Sequence, residues 1–279
     1  MLLLWSFNYV LGKIALRHMD PISLTCARFV AASVVVLVIY VFSPGRAFPR
    51  VQDLWPFLYL GVFNVLMNQG LFTIGLNYTT SSHSAIIISS GPIFILLLAV
   101  SLKLERMTAG KIAGMLICFA GILLLEMDSG SLRTSPFLKG DTISLLGTIG
   151  FALYVVLGKR IADKYDSLSM TTYTTIAATI LLTPVTLHQA IRLNWSAVGW
   201  AGWWSMFYMA AGSSVFAYLI FYWALRHTTA SRLGAVCYFQ PVIVIVLAAL
   251  FLGERPTSHL LLGTSLVLLG VVLAERAPA

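Results

Sequence analysis

Apolar segments separated by charges, prolines and turn residues recur along almost the whole chain. A helix needs about 20 mostly apolar residues to cross about 30 Å of hydrocarbon, and most of these segments approach that length. The pattern predicts an all-α integral membrane protein with ten transmembrane helices. The predicted spans are 2–16, 21–42, 54–76, 82–102, 108–125, 142–158, 168–187, 198–225, 233–252 and 259–274. Because the opening MLLLWSFNYVLGK lacks the basic n-region and cleavage site of a signal peptide, we expect it to be the first span.

An internal repeat divides the chain into two groups of five predicted spans. The sequence TTSSHSAIIISSGPIFILLLAVSLKLERMT, from Thr79, aligns without a gap with TTASRLGAVCYFQPVIVIVLAALFLGERPT, from Thr228. The aligned polar and proline positions include Ser82 with Ser231, Pro92 with Pro241, Glu105 with Glu254, and Arg106 with Arg255. We therefore predict repeats at 1–127 and 141–279, joined by a hydrophilic linker at 128–140. Because each repeat has an odd number of spans, the second is predicted to be inverted relative to the first.

Composition and charge agree with a membrane protein. Hydrophobic residues make up 59% of the chain and charged residues 10%, and the formal net charge is +8. The cations are scattered singly over short connections, which is typical of topology signals and not of a nucleic-acid surface. Their distribution predicts that both termini are cytoplasmic. We expect the protein to lie in the inner membrane of a bacterial cell. The expected partners are membrane lipid and a small-molecule substrate, without nucleic acid, and a homodimer remains open.

Residues for metal binding or catalysis are not arranged in recognisable patterns. All three cysteines lie inside predicted spans, without the spacing of metal ligands: Cys26, Cys118 and Cys237. We expect no disulfide, no metal and no cofactor. An intramembrane serine hydrolase needs a serine beside a positioned histidine, yet Ser213 and Ser214 are about 20 Å along one helix from His227. The sequence therefore predicts that the protein is not an enzyme.

Several motifs carry a family resemblance. The tandem five-span pattern, the opening WSFNYVLGKIALRHMDPISLTCARF, and a proline followed by an apolar run and LER or GER in each half resemble the EamA family of the drug/metabolite transporter superfamily. The matching positions are Trp5, Gly12, Lys13, Pro21, Arg28, Phe29, Pro92, Glu105, Pro241 and Glu254. The resemblance implies an alternating-access carrier with a central cavity lined by both halves. It also implies export of an amino acid or related metabolite, with a broad-specificity drug exporter or a passive channel as alternatives.

Acidic residues are confined to the edges of predicted spans and to connections. The distantly related small multidrug resistance proteins use a glutamate in their first helix to exchange protons for cationic drugs. Here the first helix offers Trp5, Asn8 and Tyr9 instead. A cationic-drug antiporter of that design is therefore disfavoured.

Two ionisable residues inside spans are candidates for substrate binding. Arg28 lies seven residues into the second span, where a charged side chain is costly, and its guanidinium could hold a substrate carboxylate. The alternative is that Arg28 snorkels to the membrane interface or caps helix-end carbonyls. His83, at the start of the fourth span, could bind a ligand or titrate near neutral pH, although a histidine at a helix end is more often structural.

A polar stripe on the third span is the next candidate. Asn64 and Asn68 are four residues apart and share a helical face, with Gln69 beside them. Amides facing lipid would lack partners, so this face should meet the protein interior or a wet cavity. Hydrogen bonds between helices and binding of a substrate are equally good explanations of the stripe. The aligned positions in the second repeat are Ser213, Ala217 and Tyr218.

Tyrosines and prolines complete the predicted site. Tyr154, which aligns with Asn8, and Tyr218 and Tyr222 lie deep in their spans and could line a cavity. Pro92 and Pro241 lie within matching spans of the two halves, and helices broken at matching positions point to a midplane site. We interpret both prolines as hinges, or alternatively as plain kinks. Two further predicted substrate-binding residues lie just before the second proline: Tyr238 and Gln240.

Overall fold

The structure, a computed structural model, describes residues 1–44, 48–103, 107–127, 135–162, 164–227 and 239–276. Apart from one short 3₁₀ turn, the regular structure in these ranges consists of ten helical rods. The rods are α1 Leu2–Ala15, α2 Pro21–Phe42, α3 Val51–Tyr78, α4 Ser81–Ser101, α5 Ala109–Glu126, α6 Leu138–Ala162, α7 Ser167–Arg192, α8 200–227, α9 Gln240–Leu252 and α10 Ser258–Arg276. Within the same ranges, α2, α3, α4, α6, α7 and α8 are long and apolar enough to cross a membrane, and α1, α5, α9 and α10 are shorter apolar helices.

Most helix bounds lie close to the predicted spans, with one consequential difference. The helix α6 begins at Leu138, four residues before the predicted span, so that Asp141 lies in its first turn instead of just before it. The aspartate is 2% exposed. Residues 228–238, which include the first part of the predicted ninth span, lie outside the described residues.

Helix starts are fixed by side chains that accept backbone hydrogen bonds. Asp20 caps α2 by accepting from the backbone N–H groups of Ile22 and Ser23, and Pro21 occupies the first turn, where its missing N–H costs nothing. Asp166 caps α7 in the same way. These two aspartates occupy aligned positions near the starts of the two sequence repeats, so both halves define the start of their second helix by the same interaction.

Two wide π-helical turns interrupt α3 and α8. The first covers Val62–Gly70 within α3, and the second covers Met209–Phe216 within α8. They overlap in the repeat alignment, where Asn64 falls on Ser213. A π-turn brings residues five apart into line and is frequent at functional sites. Hydropathy alone did not predict these turns, because their apolar content resembles that of an ordinary helix.

Helix packing repeats itself between the two halves. The helices α2 and α7, α4 and α9, and α5 and α10 pack in pairs. Three further pairs each have a counterpart in the other half. The pair α3–α6 corresponds to α8–α1, the pair α4–α6 corresponds to α9–α1, and the pair α2–α8 corresponds to α7–α3. If α1–α5 are exchanged in order with α6–α10, the same set of helix pairs results.

In the α5–α10 pair, glycines bring the two backbones into direct contact. A Cβ built on Gly270 would lie 2.4 Å from the backbone nitrogen of Cys118, and one on Gly114 would lie 2.5 Å from the carbonyl oxygen of Gly270. Gly121 and Gly263 meet in the same way further along. Small residues let helix backbones touch, which is how helices associate in lipid.

We expect Gly270→Ala to lower the thermal stability of the purified protein, because the new methyl group would push two backbones apart at a cost of about 1–3 kcal/mol. Gly158→Ala is the matched control, since its Cβ would lie 3.5 Å from a Leu60 methyl group, an ordinary contact. The measurement is the melting temperature in detergent. Equal melting temperatures for the two variants would contradict the close packing of α5 against α10.

Candidate substrate-binding site

The hydroxyl of Tyr218 is the centre of a buried polar cluster between α3 and α8. It donates a hydrogen bond to Oδ1 of Asn64 at 2.7 Å and accepts one from Nε2 of Gln69 at 2.9 Å. Nδ2 of Asn68 lies 3.4 Å from both the hydroxyl and Asn64 Oδ1. All four side chains are at most 9% exposed. The polar stripe predicted on the third span therefore meets a helix of the other half and does not face lipid.

The π-turn in α3 explains how three amides reach one hydroxyl. In a regular α-helix, Asn64 and Asn68 share a face while Gln69 is rotated away by about 100°. The wider turn brings residues five apart into line, so Gln69 also faces Tyr218. The backbone distortion thus directs all three amides towards the facing helix.

Arg28 lies against the same turn of α8. Its Nε donates to Oγ of Ser214 at 2.9 Å, and that hydroxyl donates onward to the carbonyl oxygen of Met209 at 3.0 Å. The side chain is 0% exposed. Within the described part of the chain, Nη1 and Nη2 have no hydrogen-bond partner. Arg28 therefore neither snorkels to the surface nor caps a helix end.

Aromatic rings surround the Tyr218 side of this cluster. Trp5 donates from its indole nitrogen to the carbonyl oxygen of Ser213 at 3.2 Å, and its ring meets that of Tyr218 edge-on at 5.4 Å. The hydroxyls of Tyr154 and Tyr222 are hydrogen-bonded to each other, and both rings pack near Tyr218. The structure thus brings Tyr154 next to the polar stripe, and it adds Trp5, which was not among the predicted substrate-binding residues.

Asn8 is the remaining predicted ligand on α1. Its side chain is 5% exposed, and its Oδ1 has no hydrogen-bond partner among the described residues. It follows Trp5 by three residues and therefore lies on a neighbouring part of the same helical face.

His83 is held in a different site, between α4 and α6. Its Nδ1 lies 2.8 Å from Oδ2 of Asp141, and both side chains are 2% exposed. The other carboxylate oxygen accepts from Oγ1 of Thr79 at 2.5 Å, and the imidazole packs on the ring of Phe137. Sequence reasoning missed Asp141 because the sixth span was taken to begin at the next residue. An acid immediately before an apolar run is the signal that could have found it.

The predicted hinges lie at helix starts. A break at Ser90 separates the segments Ser81–Ser89 and Gly91–Ser101 of α4, and Pro92 lies in the first turn of the second segment. Pro241 lies in the first turn of α9, preceded by the partly buried Gln240. Tyr238 and Cys237 are outside the described residues.

Glu254 closes one end of α4. Its carboxylate accepts from the backbone nitrogens of Ser81 and Ser82 at 2.8 and 3.1 Å and from the Ser82 hydroxyl at 2.6 Å. A cavity of about 320 Å³ opens beside it. The cavity is lined by Lys13, Leu16, Arg17, Asn77, Thr80, Leu252 and Glu254. The glutamate of the GER motif is therefore a helix cap between the halves, near a cationic rim.

A second carboxylate ties the start of α3 to the α6–α7 connection. Asp53 accepts from the hydroxyl of Tyr165 at 2.7 Å and from Nζ of Lys164 at 3.2 Å. The same hydroxyl accepts from the backbone nitrogen of Arg50 at 3.1 Å. Burial raises the pKa of the Tyr165 hydroxyl above its usual value, so it remains a donor to Asp53.

The serines considered for hydrolase chemistry have other partners. Ser213 donates to the carbonyl oxygen of Leu4 at 3.2 Å, and Ser214 bonds with Arg28 and Met209. Nδ1 of His227 lies 2.7 Å from the carbonyl oxygen of Trp223. The structure does not bring these serines and this histidine together.

Comparison with known proteins identifies the family. The profile of the EamA-like transporter family matches residues 1–127 and 138–275. The chain belongs to this family. A chain of known crystal structure is similar over 98% of this chain and 93% of its own length, with a TM-score of 0.68 and 19% identity, which supports the shared fold.

Curated relatives of this EamA-like protein are named as transporters. An uncharacterized transporter of Archaeoglobus fulgidus is 27% identical over 98% of this chain and 93% of its own length. YyaM of Bacillus subtilis, also named an uncharacterized transporter, is 28% identical over 97% and 88%. A protein of Streptantibioticus cattleyicolor named "Probable terminal-alkyne amino-acid exporter" is 25% identical over 98% and 90%. The family and these names indicate a multi-pass membrane transporter and not an enzyme.

We expect Asp141→Leu to destabilise the protein strongly, because it removes the acceptor of both His83 and Thr79 in a buried site. Leaving a buried donor unpaired costs about 1–3 kcal/mol each. Thr79→Val is the milder comparison, since it removes one hydrogen bond and keeps the His83–Asp141 contact. Melting temperatures should rank wild type above Thr79→Val and Thr79→Val above Asp141→Leu. A melting temperature of Asp141→Leu equal to that of wild type would show that the contact contributes nothing to stability.

Proposed function

We propose that this EamA-like protein is a secondary transporter that exports an amino acid or a similar small amphipathic metabolite across the bacterial inner membrane. The observation that carries the proposal is the cluster in which Tyr218 of one half holds Asn64, Asn68 and Gln69 of the other. Amides and hydroxyls at this depth can exchange their bonds to each other for bonds to a polar ligand. A cluster that joins the halves would then link ligand binding to their relative movement.

The proposed architecture is ten transmembrane helices in two inverted five-helix repeats. Its support is the set of helix pairings that survives exchange of the two halves, together with the overlapping π-turns in α3 and α8. Pseudo-symmetric halves can rock about a fixed midplane site, which is how many carriers alternate their access. Pro92 and Pro241, each at the start of a helical segment, are the proposed hinges.

The proposed substrate is small and amphipathic. The cluster offers amides and a hydroxyl on one side and the rings of Trp5, Tyr154 and Phe221 on the other. The Streptantibioticus relative, named as an amino-acid exporter, supports this class of cargo. Among the described residues, the cluster has no carboxylate to pair with a buried cation, which disfavours cationic drugs.

A carrier fits the geometry better than the alternative of a passive channel. Asn64, Asn68 and Gln69 are enclosed and hydrogen-bonded in this conformation, and an open pore would leave them in contact with water. A broad-specificity drug exporter remains the second candidate, because aromatic rings around the cluster would accept varied apolar groups.

The direct test of transport is a comparison of the medium around cells that overproduce the protein with the medium around cells that lack it. One or more amino acids or related metabolites should accumulate outside the overproducing cells. Efflux of chemically unrelated drugs, without such accumulation, would favour the broad-specificity exporter. Unchanged media would contradict export.

We expect Tyr218→Phe to reduce transport while the protein remains in the membrane. The hydroxyl orders three amides, and losing a buried hydrogen bond costs about 1–3 kcal/mol, which is roughly 5- to 150-fold in affinity. Tyr208→Phe is the matched control on the same helix, since its hydroxyl donates only to the carbonyl oxygen of Leu4, at 3.3 Å. Export rates should be normalised to protein in the membrane. Loss of Tyr218→Phe protein from the membrane, or export equal to that of wild type, would remove the cluster from the transport site.

A further inference from the structure

Two buried side chains around the π-turn of α8 carry polar atoms that have no hydrogen-bond partner among the described residues, and these atoms are of opposite hydrogen-bond type. Nη1 and Nη2 of Arg28 are donors, and Oδ1 of Asn8 is an acceptor. In a protein interior, unpaired polar atoms of this kind are rare and each costs free energy. A guanidinium costs the most, because its charge is also removed from water.

The single bond of Arg28 does not account for its position. Nε is paired with Ser214, but among the described residues no carboxylate lies within ion-pair distance of the guanidinium. Guanidinium groups bind carboxylates through two parallel N–H donors, and Nη atoms are among the donors that form such a fork. An occupant that brings a carboxylate would therefore satisfy both the charge and the free donors.

Asn8 and Arg28 approach the same short stretch of α8 from two helices. Leu4, one turn before Asn8, accepts from the Ser213 hydroxyl at 3.2 Å, and a Cβ on Gly12, one turn after Asn8, would lie 3.4 Å from the methyl carbon of Met209. Asn8 therefore lies on the face of α1 that meets 209–213. Arg28 reaches Ser214, whose hydroxyl bonds to Met209. The free acceptor and the free donors thus flank one turn.

We propose that this turn binds the head group of an α-amino acid, with the carboxylate on Nη1 and Nη2 of Arg28 and the ammonium on Oδ1 of Asn8. The inference rests on the proposed transport function and names its substrate class. A zwitterion satisfies the donors and the acceptor together and neutralises the buried guanidinium. An amine without a carboxylate would place a second cation beside Arg28, and an acid without an amine would leave Asn8 unpaired.

The binding test uses purified protein in detergent and the melting temperature as readout, with each of the twenty standard L-amino acids as probe. The best stabiliser is then compared with its amide, which lacks the carboxylate, and with the corresponding acid that lacks the amine. We expect at least one amino acid to raise the melting temperature, and both derivatives to need at least tenfold higher concentrations for the same effect. No stabilisation by any amino acid, or equal stabilisation by the amide, would overturn the proposal.

Arg28→Gln separates a ligand-binding role from a structural one. If the guanidinium awaits a ligand, removing its unpaired charge should leave the melting temperature without ligand unchanged or higher, while stabilisation by the amino acid weakens at least tenfold. Arg192→Gln, on an exposed arginine, is the control and should leave both values unchanged. A lower melting temperature of Arg28→Gln without ligand, or failure of this variant to fold, would assign Arg28 to structure and overturn the proposal.

Asn8→Leu tests the other end of the zwitterion. This variant should lose preference for the amino acid over the acid that lacks the amine, and an unchanged preference would overturn the role of Asn8. The head-group site and the proposed transport function can be refuted separately. Export of a metabolite without a carboxylate would overturn this proposal and leave transport intact, whereas amino-acid binding without export would leave the head-group site and contradict the proposed function.

Discussion

Hydrocarbon offers no hydrogen bonds, and this constraint explains the centre of the molecule. The amides of Asn64, Asn68 and Gln69 can lie in a long apolar helix only because Tyr218 faces them from the other half. The same requirement explains the π-turn, since a regular helix would rotate Gln69 away from that hydroxyl. The contact that satisfies these polar atoms is also one of the contacts between the halves, so a ligand that replaces it changes part of what holds them together.

The buried carboxylates away from the Tyr218 cluster follow the same constraint, and each accepts hydrogen bonds. Glu254 caps the first turn of α4, and Asp141 accepts from both His83 and Thr79. These carboxylates fix helix ends and helix pairs. Around the π-turn of α8, by contrast, donors and an acceptor remain without partners among the described residues. We infer from this difference that the paired groups stabilise the fold and that Arg28 and Asn8 are available to a ligand.

Apolar segments and their breaks predicted the helices and their approximate bounds, because span length is set by the thickness of hydrocarbon. The family was predicted from the resemblance carried by the repeated motifs. The stripe on α3 was also predictable, since amides four residues apart must share a face. The π-turns were not, because they depend on which helix faces which. The partner of His83 was missed for a local reason: a helix that begins at Leu138 brings Asp141 into the protein, and hydropathy placed that start four residues later.

In the proposed transport cycle, the polar cluster lines a site that opens to one side of the membrane at a time. The direct measurement is labelling of a single cysteine at Asn64, in a protein without its three native cysteines, by a small membrane-impermeant thiol reagent. Val65→Cys, packed in an apolar cluster with 0% exposure, is the control. We expect Asn64→Cys to be labelled in both right-side-out and inverted vesicles, substrate to slow this labelling, and Val65→Cys to stay unlabelled. If Asn64→Cys is labelled in neither vesicle orientation, the polar cluster does not line such a site.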